Sequence, residues 1–209
     1  MSGKIRPVIN TDVTHLKEVV DSSELFPSEY LDDMMTDYFQ NPDTEDIWFT
    51  YVEKNTPVAI GYCVPEKLTV GTYNLLALGV KKEFQGRGIA GEMMQYIEQL
   101  LKHKEARILI VETSSHPAQH AANHFYPKMD YTREAVIRDF WSEGEDKIVF
   151  WKKTSQLTRS LYLIFLFRPF LRVSNSVPKN RFVTNGKNRS YPMPGKMPPR
   201  GAPLQGKVY

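Results

Sequence analysis

Val80, Lys81, Lys82, Glu83, Phe84, Gln85, Gly86, Arg87, Gly88, Ile89 and Ala90 form the stretch on which the reading of this chain turns. It follows an apolar run, Leu75, Leu76, Ala77 and Leu78, and it opens a pattern in which Ile89, Met93, Ile97 and Leu101 recur every fourth residue. The run is that of a strand and the recurrence that of a helix, so the spacing predicts strand, glycine turn and helix in that order. Two glycines at the junction let the backbone approach a bulky anion without interference from Cβ atoms. The first amides of the helix have no partner within it and carry the positive end of its dipole. Such a turn can hold phosphate.

One common phosphate loop is excluded by spacing: there is no Gly-x-x-x-x-Gly-Lys-Ser/Thr, so a nucleotide triphosphate loop is not present. Gly86, Gly88 and Gly91 do stand at Gly-x-Gly-x-x-Gly spacing, so glycine spacing alone does not exclude a dinucleotide turn. Beyond the helix, residues 106–112 are almost continuously apolar, the character of a central parallel strand. Strand, helix and strand make a crossover with the glycine turn at its first corner. Upstream, residues 4–9 read as a short first strand, Thr11 and Asp12 as an N-cap before Val13, Leu16, Val19 and Val20, and Pro27 as the start of a second amphipathic helix. Residues 47–53 and 58–64 read as a hairpin turning at Asn55, Thr56 and Pro57, and residues 72–80 continue the sheet.

The chain has 209 residues, 41% hydrophobic and 24% charged, the balance of one soluble domain with a substantial core. A single cysteine, Cys63, excludes an internal disulfide and a cysteine-based zinc site and suggests a reducing compartment. The first seven residues, Met-Ser-Gly-Lys-Ile-Arg-Pro, are not followed by the apolar core of a signal peptide, and a cytoplasmic location is expected. Charge divides the chain. Residues 1–153 carry 17 Lys and Arg against 24 Asp and Glu, a net −7, while residues 154–209 carry 10 Lys and Arg, no acid and 7 of the 14 prolines. The expected boundary is therefore between a folded domain, 1–153, and a basic, proline-rich tail, 154–209, disordered beyond about residue 173. An apolar segment at 161–171 is far short of the ~20 apolar residues that span a bilayer. It could lie on an anionic membrane surface or touch nucleic acid, or it could be sequence without a function of its own.

The hexad Gln85-Gly86-Arg87-Gly88-Ile89-Ala90 resembles the Gln/Arg-x-x-Gly-x-Gly/Ala pyrophosphate loop of the GNAT superfamily of acyl-CoA-dependent N-acyltransferases. Phe125-Tyr126-Pro127-Lys128-Met129-Asp130-Tyr131 is similar to the family's Phe-Tyr-x-x-x-Gly-Phe, with Asp130 at the glycine and Tyr131 at the phenylalanine. Residues 137–152, with a turn at Gly144 flanked by Glu143, Glu145 and Asp146, look like the Asp-Phe-Tyr-x-x-Gly-Asp-Asp-Lys hairpin of one group of these proteins. The motifs stand in family order over residues 4–153. The resemblance implies an α/β fold of the GNAT type, a mixed (α+β) twisted sheet flanked by helices, and an N-acetyltransferase that uses acetyl-CoA as co-substrate. It also implies backbone contacts to the coenzyme from Leu78, Gly79 and Val80 and around the pyrophosphate from Gln85, Gly86, Arg87, Gly88, Ile89 and Ala90. Arg87 can add a charge-assisted contact.

The same resemblance puts Tyr126 where the family often has its general acid. A phenol with a reference pKa of about 10 is protonated at neutral pH and can serve a thiol leaving group near 8.5. The alternative is that Tyr126 only packs the helix end. Many relatives carry a glutamate on the strand before the glycine turn, but residues 72–80 contain no acid. Glu112, at the expected C-terminal end of the strand after the crossover, is the nearest carboxylate for a general base, where open α/β sheets bind ligands. Its other reading is a carboxylate that orders the turn at Thr113, Ser114 and Ser115, and Asp139 is a second candidate. Ala118 occupies the position of an asparagine that many relatives carry seven residues before the Phe-Tyr pair, and Asn123 could replace its contact to the pantetheine arm.

His116, His120 and His124 recur at every fourth position, yet no carboxylate or third aligned ligand completes a metal site, and none is expected. The expected function is acetyl transfer to a primary amine of a small molecule or a protein, the acceptor being unidentified. The competing readings are an acyl-CoA-sensing module without turnover and a scaffold directed by the basic tail. A nucleic-acid partner and a transmembrane segment are not expected, and the assembly is a monomer or homodimer.

Overall fold

The structure is a computed structural model and describes residues 4–154. Seven strands and four helices follow in the order β1 (Lys4–Pro7), α1 (Val13–Ser22), α2 (Leu31–Gln40), β2 (Ile47–Glu53), β3 (Thr56–Pro65), β4 (Thr72–Val80), α3 (Ile89–His103), β5 (Ile108–Ser114), α4 (His120–Lys128), β6 (Thr132–Ser142) and β7 (Glu145–Lys153). They form one sheet in the order β1-β2-β3-β4-β5-β7-β6, antiparallel throughout except for the pair β4 and β5. That parallel pair needs a crossover, and α3 supplies it. The mixed sheet with flanking helices agrees with the fold class that the sequence implies.

Helices cover both faces. Met93, Met94, Ile97 and Leu101 of α3 and Ala122 and Tyr126 of α4 pack with Leu109, Val111 and Phe150 on one side. Leu16, Val19 and Val20 of α1 and Leu31 and Met35 of α2 pack with Trp48, Ile60 and Ala77 on the other. All of these side chains are buried, and at about 1.5–3 kcal/mol for each large apolar side chain this two-sided burial is the main stabilising term.

The local differences from the sequence reading have physical causes. The first strand ends at Pro7, and Asp12 does not cap α1. Its carboxylate instead receives two hydrogen bonds from the Arg6 guanidinium at 2.6 and 2.9 Å and one from the Ile9 amide at 2.9 Å, closing a 3-10 turn over Asn10–Asp12 that precedes the helix. The turn between β2 and β3 is Lys54-Asn55, both at positive φ (48° and 65°), as a two-residue hairpin turn requires. Pro57 lies inside β3, opposite Val52 beside a register shift, where its missing N–H is tolerated. β5 begins at Ile108, because Arg107 still donates its amide to Gly71 O at 2.7 Å in the loop after α3. The strand runs on through Thr113 and Ser114, which pair with Ile148 and Lys147 of β7, so Glu112 is inside β5 and not at its end. The expectations for disorder, for the apolar segment at 161–171 and for the basic tail fall on residues outside those described.

Candidate active site

The strand β4 carries one residue more than its antiparallel neighbour. Leu75 stands opposite Cys63 and Ala77 opposite Tyr62, with Leu76 between them unmatched. This bulge turns β4 away from β5. The two strands pair from Thr72 and Ile108 up to Leu75 and Val111, and no further pairs are found although β4 runs on to Val80 and β5 to Ser114. The sheet is thus open at a notch in its middle, and Leu78, Gly79 and Val80, from which the resemblance implies coenzyme contacts, lie beyond the last pair of β4 with β5.

At the wide end of the notch stands the glycine turn. Gly86 and Gly88 have φ of 72° and 83°, in the left-handed region that favours glycine, and a Cβ built on either meets nothing within 4 Å. Gly88 is the N-cap of α3, and no side chain caps that terminus. The leading amides of a 15-residue helix therefore have no side-chain cap at the positive end of its dipole, next to the open space at Gly88. Gln85 Nε2 donates to Val80 O at 3.0 Å and closes the loop onto the strand. Arg87 bends back on its own loop, with a bond to Glu83 O at 2.7 Å and its guanidinium 4.8 Å from the Phe84 ring centroid. Lys81 and Lys82 pair with Glu18 and Glu24, each at 2.7 Å, and fasten the loop to the α1 region.

Of the expected strand contacts, Leu78 and Val80 bury their side chains in the core under α3. Gly79 is glycine for packing: a Cβ there would lie 2.5 Å from Leu25 Cδ1 and 2.7 Å from Ser23 Oγ. The backbones of these three residues border the notch beyond its last pair.

Tyr126 lies in the core beneath α4. Its ring is fully buried among Phe125, Tyr131 and Phe150, with centroids 5.4, 5.7 and 5.4 Å away, and among the described residues its hydroxyl has no hydrogen-bond partner. Burial holds the phenol far above its ordinary pKa, so it is a neutral donor throughout the physiological range. The end of α4 is pinned around it. Tyr131 donates to Glu98 Oε1 at 2.9 Å, and Lys152 Nζ donates to Glu98 Oε2 at 2.9 Å and to Met129 O at 2.8 Å. Asp130 takes the left-handed conformation (φ 63°) of the glycine it stands for, which a short polar side chain tolerates.

Glu112 approaches from the other face. Val111 belongs to the core beneath α3 and α4, and Thr113 bonds to Asn123 of α4 at 2.7 Å, so strand alternation turns Glu112 away from α4. Its carboxylate is ion-paired with Lys147 of β7 at 2.6 Å. Glu112 directly follows Val111, the last residue of β5 paired with β4. The turn-ordering role falls elsewhere: Ser114 Oγ accepts the His116 amide at 2.9 Å.

The other sequence candidates have structural duties. Both ends of the Asn123 amide are engaged, by Thr113 Oγ1 at 2.7 Å and by Ser114 O at 3.0 Å, so a contact to pantetheine would have to displace one of them. Asp139 accepts the Gly144 amide at 2.8 Å and organises the hairpin between β6 and β7. His116 Nδ1 accepts the Ala118 amide at 3.2 Å, and the His120 and His124 rings stand 6.5 Å apart. Among the described residues no group of three or more His, Cys, Asp or Glu side chains could hold a metal ion, and no helix is long and apolar enough to cross a membrane. Sequence reading did not single out Lys147, whose partner is assigned only by the register of β5 against β7.

A sequence model of the acetyltransferase (GNAT) family matches residues 16–131. The chain belongs to the GNAT family. A Bacillus subtilis (strain 168) protein described as a candidate ribosomal protein bS18-alanine N-acetyltransferase is 26% identical over 144 residues, 67% of this chain and 88% of that one. A Desulfovibrio desulfuricans structure assigned to the same family superposes with a TM-score of 0.70 at 20% identity, covering 74% of this chain and all of the other. An aminoglycoside 6'-N-acetyltransferase solved with coenzyme A superposes with a TM-score of 0.61 at 15% identity, covering 73% of this chain and 97% of the other. As a GNAT protein the chain is an acyltransferase enzyme, and membership favours turnover over a sensing module. The matched span closes at Tyr131, so the hairpin that carries Lys147 lies beyond it.

Proposed function

We infer that this enzyme transfers the acetyl group of acetyl-CoA to a primary amine of a small molecule or a protein. The observation that carries this reading is the notch between β4 and β5, with a fixed proton donor, Tyr126, on one face of the sheet and a carboxylate, Glu112, on the other. Acetyl-CoA supplies the acyl group and a thiolate leaving group. The bare amides of Gly88, Ile89 and Ala90, with Gln85, Gly86 and Arg87, suit its pyrophosphate. The unpaired Tyr126 hydroxyl suits the sulfur, which leaves a buried donor satisfied only when an acceptor arrives.

In this scheme Glu112 takes a proton from the acceptor ammonium, directly or through water. The free nitrogen forms the amide bond as the C–S bond breaks, Tyr126 gives its proton to the departing sulfur, and the second proton that the nitrogen sheds restores the Tyr126 phenol. The relative described as acting on an alanine of a ribosomal protein supports a protein amine among the acceptors. The test is thiol release from acetyl-CoA over a panel of primary amines, including peptides with free N-termini. Amine-dependent release is expected, and its absence with every amine would overturn the reading.

A further inference from the structure

Lys147 is a largely covered cation with unusual company. Its side chain is 12% exposed, its Nζ lies 2.6 Å from Glu112 Oε1, and the same nitrogen stands 4.4 Å from the ring centroid of Phe140 and 5.9 Å from that of Trp141. The two rings meet edge to face, 4.7 Å apart at 86°, and form a corner around the ammonium. One carboxylate and two aromatic faces are the chemistry that recognises an alkylammonium ion. This corner lies beside the notch, because Glu112 is the first residue of β5 beyond its last pairing with β4.

We propose that Lys147 is a resident stand-in for the acceptor, and that the amine substrate enters as an alkylammonium ion by displacing the Lys147 ammonium from Glu112, Phe140 and Trp141. The proposal rests on Glu112 as the base of the proposed reaction. If Glu112 must reach the acceptor nitrogen, the position beside its carboxylate is the one Lys147 Nζ fills. Exchange of one ammonium for another restores the ion pair and the ring contacts, whereas a neutral or anionic acceptor would leave Glu112 without compensation. The cage therefore selects cationic amines on a slender aliphatic stem, and Lys147 sets the threshold that they must exceed.

The experiment compares the parent protein with Lys147→Met, using tetramethylammonium, which cannot be acylated, as the probe. Calorimetric affinity for tetramethylammonium is expected to rise about tenfold or more in Lys147→Met. Adding Phe140→Leu to that variant is expected to cut the affinity about threefold or more. KM for an alkylamine acceptor is expected to fall in parallel, with acetyl-CoA affinity unchanged. Should the methionine variant fail to fold, Lys147→Gln makes the same comparison. Equal tetramethylammonium affinity in parent and variant overturns the cage. A raised KM that Lys147→Arg repairs also overturns it, because Lys147 would then support Glu112 and not compete with substrate. Absence of turnover on all amines defeats the acetyl-transfer reading alone, since the tetramethylammonium affinities still decide the cage.

Discussion

Glu112 and Tyr126 stand on opposite faces of the sheet, Tyr126 in the core with Val111 and Glu112 on the face turned away from it, paired with Lys147. In the proposed reaction the two act on different atoms, one on the acceptor nitrogen and the other on the leaving sulfur, without sharing a proton. Their substitutions are therefore expected to have separable effects.

Tyr126→Phe is expected to move activity and stability in opposite directions. Loss of the proton donor lowers kcat by about 10²- to 10⁴-fold with little change in coenzyme affinity. Removal of a buried hydroxyl that has no partner raises the stability of the ligand-free protein by about 1 kcal/mol. Steady-state kinetics and thermal melting check the two signs, and full turnover in the variant would remove the acid role.

Glu112→Gln is expected to depress kcat/KM on the acidic side of the pH profile, where the amine still carries its proton. At high pH, where acceptors arrive neutral, variant and parent converge. A profile unchanged across the range would assign deprotonation to solvent.

Gly88→Ala tests the pyrophosphate loop. The site has room for the methyl group in the free protein, but a φ of 83° strains an L-residue by about 1–2 kcal/mol, and the added Cβ faces the space that the anion needs. Coenzyme affinity is expected to weaken more than tenfold, about 1.4 kcal/mol, in a protein that remains folded. Unchanged calorimetric affinity would remove the assignment.

Asp12 gives the fold an acid dependence. Burial pushes its pKa upward, but the hydrogen bonds from Arg6 and from the Ile9 amide, with the Arg6 charge, outweigh this and hold it below the ordinary carboxylate value. A depressed native pKa adds stability that is fully present above the unfolded value of about 3.9 and is lost as pH falls through the native one. Asp12→Ala is expected to cost about 1–3 kcal/mol at neutral pH and much less near pH 3, as read from urea midpoints.

Removal of residues 156–209 is expected to leave coenzyme binding intact and the melting temperature within a few degrees, because β7 closes the sheet at Lys153 and Thr154 is held by Arg107 O at 3.1 Å. A larger fall would place part of that segment in the domain.

Much of this architecture could be read from local pattern. The crossover was legible because α3 repeats its apolar residues at helical spacing and β4 and β5 are buried runs. The turn was legible because positive φ at Gly86 and Gly88 leaves its mark as glycine. The start of β6 was not, since every residue from Thr132 to Phe140 is exposed and carries no alternation. The role of Gly79 was hidden because it answers to Leu25 and Ser23, more than fifty positions away. Glu112 was expected at the end of its strand, but its place within β5 depends on Thr113 and Ser114 pairing on with β7, and its own pairing with Lys147 on strand register, neither of which spacing alone records.

Strands that part in the middle of a sheet leave two edges indoors. Along the notch β4 and β5 carry backbone groups with no strand beside them, and although the Asn123 and Trp141 side chains reach the carbonyls of Ser114 and Thr113, apolar Leu76 and Leu78 offer no charge to repel a stray chain. Such edges invite strand addition and aggregation. A molecule that fills the notch is then also a guard against misassociation: warmed in the presence of coenzyme, this protein should stay dispersed longer than when warmed alone, by more than its gain in melting temperature accounts for.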